Sequence, residues 1–217
     1  EYFDSAAAGL PGFQDKISSR MLNAPARKQG LEYILKFNPQ EAPFAVENEY
    51  YFLRQANRVG IKTAEFELLT DSEGKHALSL QRFDRRVVNG ETERLAMEDA
   101  CQVLNLYPAS KYDLGFEEVA RSLISHCSAK KVAALELFRV LVFNYLIGNG
   151  DAHAKNFSIL RIDESEWRIS PAYDLLCTRY YEDSSMALTL DGQDHGWTRD
   201  LVLNFAQEFG IPKNLAE

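Results

Sequence analysis

The spacing of hydrophobic residues in the first part of the chain predicts a small β-sheet that carries one helix. Alternating apolar and β-branched residues indicate strands, whereas apolar residues three or four positions apart indicate a helix. The helix is predicted at Phe44–Val59, with Gly60 as its C-terminal cap. The strands are predicted at Ile17–Leu22, Leu31–Phe37, Ala64–Leu69 and His76–Phe83, followed by a hairpin that turns at Asn89-Gly90.

Helical spacing dominates the chain after Met97. The predicted helices are Glu98–Leu106, Phe116–Cys127 and Val132–Ile147, and the last is apolar on nearly all sides, as expected of a core helix. A polar loop at 148–156 and a short hairpin of Phe157–Arg161 and Trp167–Ile169 follow it. We therefore predict an α+β fold of two lobes, a β-rich lobe at residues 1–90 and a mainly helical lobe at residues 91–217.

Composition narrows the class of protein to a folded domain outside the membrane. Of the 217 residues, 46% are hydrophobic and 26% charged, and no apolar run approaches the roughly 20 residues that span a bilayer. A net charge of −8 argues against nucleic acid as a direct partner, because phosphate neutralisation needs a positive surface. Three widely spaced cysteines without a CxxC pair predict a reducing, cytoplasmic location.

The polar loop after the predicted core helix carries the strongest chemical signal. Asp151 is followed five residues later by Asn156, and Asp174 lies beyond the short hairpin. Protein kinases use this order, in which the first Asp orients the attacking hydroxyl group and the Asn and second Asp hold magnesium. Taken alone, the same residues also fit an Asp/Asn-rich turn with Asp174 as a local cap.

A lysine in an apolar strand adds a second signal. Lys36 lies inside the strand Leu31–Phe37, and Glu49 on the following helix is a candidate partner for its charge. A kinase small lobe has such a lysine–glutamate pair. The alternative is a lysine on an edge strand whose ammonium group lies in water.

Two further segments are candidate parts of a nucleotide site because of their positions along the chain rather than their composition. Residues 9–16 form a candidate phosphate-binding loop, although they match neither GxGxxG nor GxxxxGKS/T. The segment Gln81–Phe83 leads into the region between the predicted lobes, where a kinase hinge would meet an adenine. An ordinary strand end with a surface Arg/Asp cluster remains the alternative for that segment.

Taken together, these residues resemble the HipA-like serine/threonine kinases, which are the toxin half of bacterial toxin–antitoxin modules. The resemblance covers most of the chain from Gly9 to Asp174, with its motifs in the family order. Its most specific pieces are the segments Gly150–Ser158, Glu47–Tyr51, Arg82–Arg85, Glu98–Gln102 and Pro171–Asp174.

The resemblance implies a bilobed, protein-kinase-like fold with ATP between the lobes. It implies that Asp151 is the catalytic acid–base residue, that Lys36 acts on the ATP phosphates, and that Asn156 and Asp174 bind Mg²⁺. The other positions that it implies for the nucleotide site are Gly12, Gln14 and Lys16 in the phosphate loop, together with Glu49, Gln81, Phe83, His153 and Tyr173.

The resemblance also implies partners and leaves alternatives open. An aminoacyl-tRNA synthetase would be phosphorylated, a helix-turn-helix antitoxin would restrain the kinase, and a separate small protein could supply an N-terminal subdomain. We expect the chain to be a fragment or a short relative, acting in its own cytoplasm or exported into a host cell. Gly9 stands where many family members have an autophosphorylated serine, which puts autoinhibition by that route in doubt.

Three other classes of protein share part of this pattern. A small-molecule kinase of the aminoglycoside or choline type has the same Asp, Asn and later Asp, and differs in its acceptor. A pseudokinase would keep the fold without activity, although every expected charged residue is present here. A binuclear metallophosphatase would need more histidines in ligand spacing than the chain contains.

Overall fold

The structure, a computed structural model, describes residues 21–28, 30–181 and 183–217. Its N-terminal part is a four-stranded antiparallel sheet in the order β1-β2-β4-β3. The four strands are β1 (Leu22–Lys28), β2 (Leu31–Phe37), β3 (Phe66–Thr70) and β4 (His76–Gln81). The strand predicted at Leu31–Phe37 is confirmed. Of the strand predicted at Ile17–Leu22, only Leu22 lies in β1 and Met21 precedes it, while residues 17–20 lie outside the described residues.

One helix, α1 (Ala45–Arg58), lies against this sheet, as the apolar spacing predicted. Its buried face carries Val46, Leu53 and Ala56, which pack with Leu78 and Leu80 of β4. Gly60 follows the helix with φ of +77°, the left-handed conformation that a C-terminal glycine adopts without steric cost. The predicted cap is therefore confirmed.

A second hairpin, β5 (Arg85–Val88) and β6 (Glu91–Arg94), turns at Asn89-Gly90. Both turn residues have positive φ, +53° and +85°, as a two-residue hairpin turn of type I′ requires. Asparagine and glycine are the residues that tolerate this backbone conformation best. The hairpin is therefore confirmed at its predicted turn.

The prediction of a helix at Glu98–Leu106 is mostly wrong, because the observed helix begins later and is shorter. Residues Met97–Asp99 form strand β7, and the helix α2 covers only Ala100–Val103. The Asp99 carboxylate accepts a hydrogen bond from the backbone N–H of Gln102, and the Gln102 side chain accepts one from the Asp99 N–H. This reciprocal capping box stops the helix at its N-terminus and frees the preceding residues to pair in a sheet.

The remaining part of the chain is mainly helical, with one three-stranded sheet in the order β7-β8-β9. The helices are α3 (Phe116–His126), α4 (Lys130–Ile147), α5 (Arg199–Glu208) and α6 (Lys213–Ala216), and the strands are β8 (Ser158–Arg161) and β9 (Trp167–Ile169). The helices and the hairpin predicted between residues 116 and 169 are confirmed to within two residues at each end. In the described part of the chain, no helix is long and apolar enough to cross a membrane.

Two hydrophobic cores organise the molecule. The larger lies around α3 and α4, and the smaller lies between α1 and the first sheet. Ala172, Leu175 and Leu176, which follow β9, pack into the smaller core, and Ala172 pairs with Thr63 in an isolated bridge. The chain around Asp174 is thus held against the N-terminal sheet, although it comes from the C-terminal part of the sequence. The division at residues 90 and 91 stays a prediction.

Candidate active site

Lys36 lies near the end of β2, paired in register with Leu78 of the neighbouring strand β4. Its side chain is only 8% exposed, and its ammonium group contacts both carboxylate oxygens of Glu49 at 2.8 and 2.9 Å. Glu49 is fully buried on α1. The partner suggested by the sequence is therefore the one that Lys36 contacts, and a lysine with its ammonium group in water is excluded.

The Lys36 ammonium group also donates a hydrogen bond to Oδ1 of Asp174. Burial lowers the pKa of Lys36, but the negative charges of Asp174 and Glu49 outweigh it and hold that pKa above its ordinary value. Burial raises the pKa of Asp174, and the charge of Lys36 more than reverses this, so the Asp174 pKa is lowered. One cation therefore serves two carboxylates, and burial, together with the charge of Asp174, raises the pKa of Glu49 despite the contact with Lys36.

Asp174 has a left-handed backbone, with φ of +55°, which few residues other than glycine adopt. Three neighbours hold it there. Its second carboxylate oxygen accepts a hydrogen bond from Asn156 at 2.8 Å, and its backbone carbonyl accepts one from the Asn149 side chain at 2.9 Å. Lys36 holds the first oxygen. Such an over-determined, strained conformation is typical of functional sites.

Asp151 lies in the loop that follows α4 and is 2% exposed. Its Oδ1 accepts a hydrogen bond of 3.0 Å from the hydroxyl group of Tyr112. The loop continues into a 3₁₀ turn, Ala154–Asn156, in which the Asn156 side-chain oxygen accepts from the His153 N–H at 3.0 Å. The loop therefore brings Asp151 and Asn156 into one compact turn, as their spacing predicted.

Two glycines shape this loop. Gly148, the C-cap of α4, has φ of +69°, and its backbone lies against the Arg179 side chain. A Cβ atom at Gly150 would lie 2.5 Å from the carbonyl oxygen of Ser185 and 2.8 Å from the hydroxyl of Thr178. The Gly150 N–H donates a hydrogen bond of 2.7 Å to the Thr178 hydroxyl, which is fully buried. The loop therefore packs closely on the segment that follows Asp174.

His153 and Tyr173 occupy different surroundings. Burial lowers the pKa of His153 to about 4, so the imidazole is neutral at neutral pH. Among the residues that the structure describes, its buried Nδ1 has no hydrogen-bond partner. The Tyr173 hydroxyl donates to the Lys155 carbonyl oxygen and lies 2.7 Å from the Ser158 hydroxyl, while its ring lies 5.8 Å from that of Phe83.

A cavity of about 460 Å³ opens beside the Lys36 cluster. It is lined mostly by apolar side chains, with the charged groups of Lys36 and Asp174 at one part of the wall. A cavity of this size fits a nucleotide-sized ligand. The residues predicted for a nucleotide site that line it are Lys36, Gln81, Phe83 and Tyr173, and the predicted metal ligand Asp174 lines it as well.

Two of the other predicted nucleotide-site residues do not line this cavity. Glu49 lies behind Lys36 rather than in the cavity wall, and His153 packs against Tyr112 on the side of Asp151. Gly12, Gln14 and Lys16 lie outside the described residues. Their roles stay predictions.

Sequence reasoning missed the residues that support the site. Tyr112 ends a 3₁₀ turn, Pro108–Tyr112, and Asn149 donates from one amide to both Asn144 and Asp174. No hydrophobic spacing marks either residue, since each acts through a contact with a distant part of the chain. The asparagine at position 144, buried in an apolar helix, was the one signal available.

The donor atoms around Asp174 fit a magnesium ion that takes much of its coordination from phosphate. Asp174 supplies a carboxylate and Asn156 an amide oxygen, and Mg²⁺ commonly takes one or two protein ligands with phosphates and waters. No group of three or more metal-ligating His, Cys, Asp or Glu side chains occurs within the described ranges. The Asn156 amide turns its NH2 group to Asp174 and its oxygen to the His153 N–H, so an ion shared with Asp174 would require this amide to rotate.

Comparison with known proteins places the chain in a family. The model of the HipA-like C-terminal domain matches residues 8–217, and the chain belongs to this family. The Sinorhizobium fredii protein Y4mE, named as a candidate kinase, is 33% identical over 93% of this chain and 51% of its own length. The serine/threonine-protein kinase toxin HipA of Shewanella oneidensis is 30% identical over 84% of this chain and 46% of its own length. The chain thus spans about half the length of these relatives.

Solved structures agree with this family. HipA of Shewanella oneidensis, in a complex with HipB and operator DNA, superposes with a TM-score of 0.74 at 27% identity, over 85% of this chain and 47% of that one. The proinflammatory kinase CtkA of Helicobacter pylori has a TM-score of 0.64 at 19% identity, over 89% and 80% of the two chains, which shows a shared fold. The kinase-like α+β fold predicted from the sequence is confirmed.

Proposed function

We propose that this chain is the catalytic part of an ATP- and Mg²⁺-dependent serine/threonine protein kinase. The observation that carries the proposal is the cluster of Lys36, Glu49, Asp174 and Asn156, of which Lys36 and Asp174 line a nucleotide-sized cavity, with Asp151 in the adjoining loop. Phosphoryl transfer is catalysed mostly by positioning and charge neutralisation, and these residues supply both.

Each residue has a distinct task in this proposal. Lys36, held by Glu49, places a permanent positive charge on the phosphates of ATP, and Asp151 orients the hydroxyl of the acceptor for attack and takes up its proton. Asn156 and Asp174 would hold Mg²⁺, which neutralises charge on the transferring phosphoryl group. Before ATP binds, Lys36 is engaged by Asp174, so nucleotide binding would exchange that carboxylate for phosphate oxygens.

The cavity wall suggests how adenine is recognised. The backbone N–H groups of Gln81 and Arg82 already donate to the carbonyls of Glu65 and Glu32, at 2.8 and 2.9 Å. We therefore assign the hinge hydrogen bonds to the backbone beyond Arg82, at Phe83, rather than to these N–H groups. The tilted pair of Phe83 and Tyr173 rings would provide an apolar surface beside the base.

We further propose that the acceptor is an aminoacyl-tRNA synthetase and that a helix-turn-helix antitoxin restrains the enzyme. The Shewanella HipA structure, which holds HipB and operator DNA, supports the antitoxin. The synthetase, and a separate small protein that supplies an N-terminal subdomain, follow from the resemblance to the HipA-like kinases.

Incubation of the purified chain with radiolabelled ATP, Mg²⁺ and a bacterial lysate tests the proposal. We expect a labelled protein, identified by mass spectrometry as an aminoacyl-tRNA synthetase, that is absent when Asp151→Ala replaces the wild type. The matched control is Asp200→Ala, because Asp200 is an exposed aspartate on α5 and its removal should leave labelling unchanged.

The other outcomes separate the remaining classes. Labelling of a different protein would keep the kinase and refute the synthetase as acceptor. ATP binding without any labelled protein would favour a small-molecule kinase or an inactive pseudokinase, and these differ in whether ATP is consumed with hydroxyl metabolites. Failure to bind ATP would refute the kinase itself.

A further inference from the structure

The hydroxyl group of Tyr112 reaches the carboxylate of Asp151 from a separate part of the chain. Tyr112 ends the 3₁₀ turn Pro108–Tyr112, which lies 39 positions before Asp151. The turn packs beside the loop, so the hydroxyl donates a hydrogen bond of 3.0 Å to Oδ1 of Asp151. Asp151 is 2% exposed, which means that its orientation depends on protein contacts rather than on water.

The Tyr112 ring is itself held in place on two sides. The His153 ring meets it edge-on, with centroids 5.3 Å apart and an interplanar angle of 69°. The Lys111 ammonium group lies 4.7 Å from the ring centroid, a favourable cation–π distance. These contacts involve the ring and not the hydroxyl, so the two parts of the side chain can be tested separately.

The phenol stays a hydrogen-bond donor at all ordinary pH values. Burial raises the pKa of Tyr112 above its usual range, and the charge of Asp151 raises it further. The proton therefore remains on the tyrosine, and the contact is a stable O–H to carboxylate hydrogen bond. The acceptor of this bond is a carboxylate, which makes the bond stronger than one between neutral groups, and its length of 3.0 Å is at the long end of the O–H···O range.

We infer that Tyr112 is a positioning residue for phosphoryl transfer, which fixes the rotation of the Asp151 carboxylate so that it can orient the acceptor hydroxyl. This inference rests on the proposed role of Asp151. Misplacement of a positioning group by a fraction of an ångström lowers the rate of transfer without affecting how ATP is bound. The cavity wall contains neither Tyr112 nor Asp151 among the described residues that line it, so ATP affinity should not depend on the tyrosine.

The test is the steady-state kinetics of Tyr112→Phe, which removes the hydroxyl and keeps the ring against His153 and Lys111. Radiolabelled ATP is the donor, and the protein most strongly labelled in the lysate experiment is purified as the acceptor. We expect kcat to fall about tenfold, the effect of losing one strong hydrogen bond in the transition state. The KM for ATP and the melting temperature should stay close to those of the wild type.

A control and a double variant distinguish positioning from a general structural role. Tyr145→Phe removes another part-buried hydroxyl, which donates to the carbonyl of Trp197 away from the site, and should leave kcat unchanged. In an Asp151→Ala background, which removes the acceptor of this hydrogen bond, Tyr112→Phe should lower the residual rate no further, because the hydroxyl acts on transfer through the Asp151 carboxylate.

The outcomes separate this inference from the proposed function. A wild type that transfers phosphate, with a Tyr112→Phe variant of equal kcat, overturns the positioning role and leaves the kinase intact. A fall in kcat that is additive with Asp151→Ala also overturns it. A wild type that labels no acceptor refutes the proposed function, and the positioning role falls with it.

Discussion

Removal of the Lys36 charge is expected to destabilise the folded protein far more than removal of either of its partners. The Lys36 side chain is 8% exposed, that of Glu49 is not exposed and that of Asp174 is 25% exposed. In Lys36→Met, the two carboxylates would remain together in a mostly dry site without a cation. In Glu49→Gln, by contrast, Lys36 keeps Asp174 as its partner.

The size of the effect follows from the burial of these groups. Breaking a buried ion pair by removing one partner costs about 3–5 kcal/mol, because the other charge is left uncompensated. We expect Lys36→Met to lie in this range at neutral pH. Glu49→Gln keeps a hydrogen-bonding amide beside Lys36 and should cost about 1–3 kcal/mol.

The stability lost in Lys36→Met should depend on pH, and the direction of that dependence follows from the pKa values of the two carboxylates. In Lys36→Met the charge that lowers the pKa of Asp174 is absent, so burial and mutual repulsion should hold the folded-state pKa values of both carboxylates above their unfolded values of 4.5 for Glu49 and 3.8 for Asp174. The folded variant then holds protons that the unfolded chain has released, so its stability is lost as pH rises through the raised folded-state pKa values. The loss of stability relative to wild type should therefore be complete at neutral pH and much smaller at a pH near the unfolded pKa values of the two carboxylates.

Urea unfolding at neutral pH and at a pH near the unfolded carboxylate pKa values, followed by far-UV circular dichroism, measures this loss of stability. The control is Lys75→Met, which breaks the exposed pair of Lys75 and Glu73 and should cost about 0–1 kcal/mol at either pH. Two results would refute this account: a loss of stability in Lys36→Met no larger than that in Lys75→Met, or an equal loss at the two pH values.

Three further substitutions test the loop and the metal position. Gly150→Ala should cost about 1–3 kcal/mol in thermal unfolding and impair transfer, because its Cβ would lie 2.5 Å from the Ser185 carbonyl oxygen. Asp174→Ala should weaken ATP binding in the presence of Mg²⁺, and equal ATP affinity in wild type and variant by calorimetry would count against its role in holding the metal. Asn149→Ala should lower stability by about 1–3 kcal/mol, measured by urea unfolding, because it leaves Asn144 and the Asp174 carbonyl without their amide donor. An unchanged unfolding midpoint would refute that account.

The secondary structure was largely predictable because it depends on neighbouring residues. The spacing of apolar residues predicted α1, and the Asn89-Gly90 turn required positive φ that these residues accept. The wrong prediction of a helix at Glu98–Leu106 also has a local cause, because Asp99 and Gln102 form a capping box that shortens the helix. Helical spacing was overridden there by the pairing of Met97–Asp99 with β8, which joins residues about 60 positions apart.

Sequence reasoning proposed the candidate residues and the contact between Lys36 and Glu49, but none of the contacts with more distant parts of the chain. The order of Lys36, Glu49, Asp151, Asn156 and Asp174 along the chain is a property of the sequence, and with the family motifs it indicated a kinase. The chain alone also indicated that a lysine inside an apolar strand needs a carboxylate partner, because a buried charge is stable only when it is paired.

Only the tertiary structure decided that Lys36 meets Asp174 as well as Glu49, across 138 positions of sequence, and that Tyr112 bonds to Asp151. These contacts depend on how two hydrophobic cores pack and on where the chain around Ala172 crosses between them. Apolar spacing records which face of an element is buried, but it does not record which distant element covers that face. The geometry of the site is set by that packing.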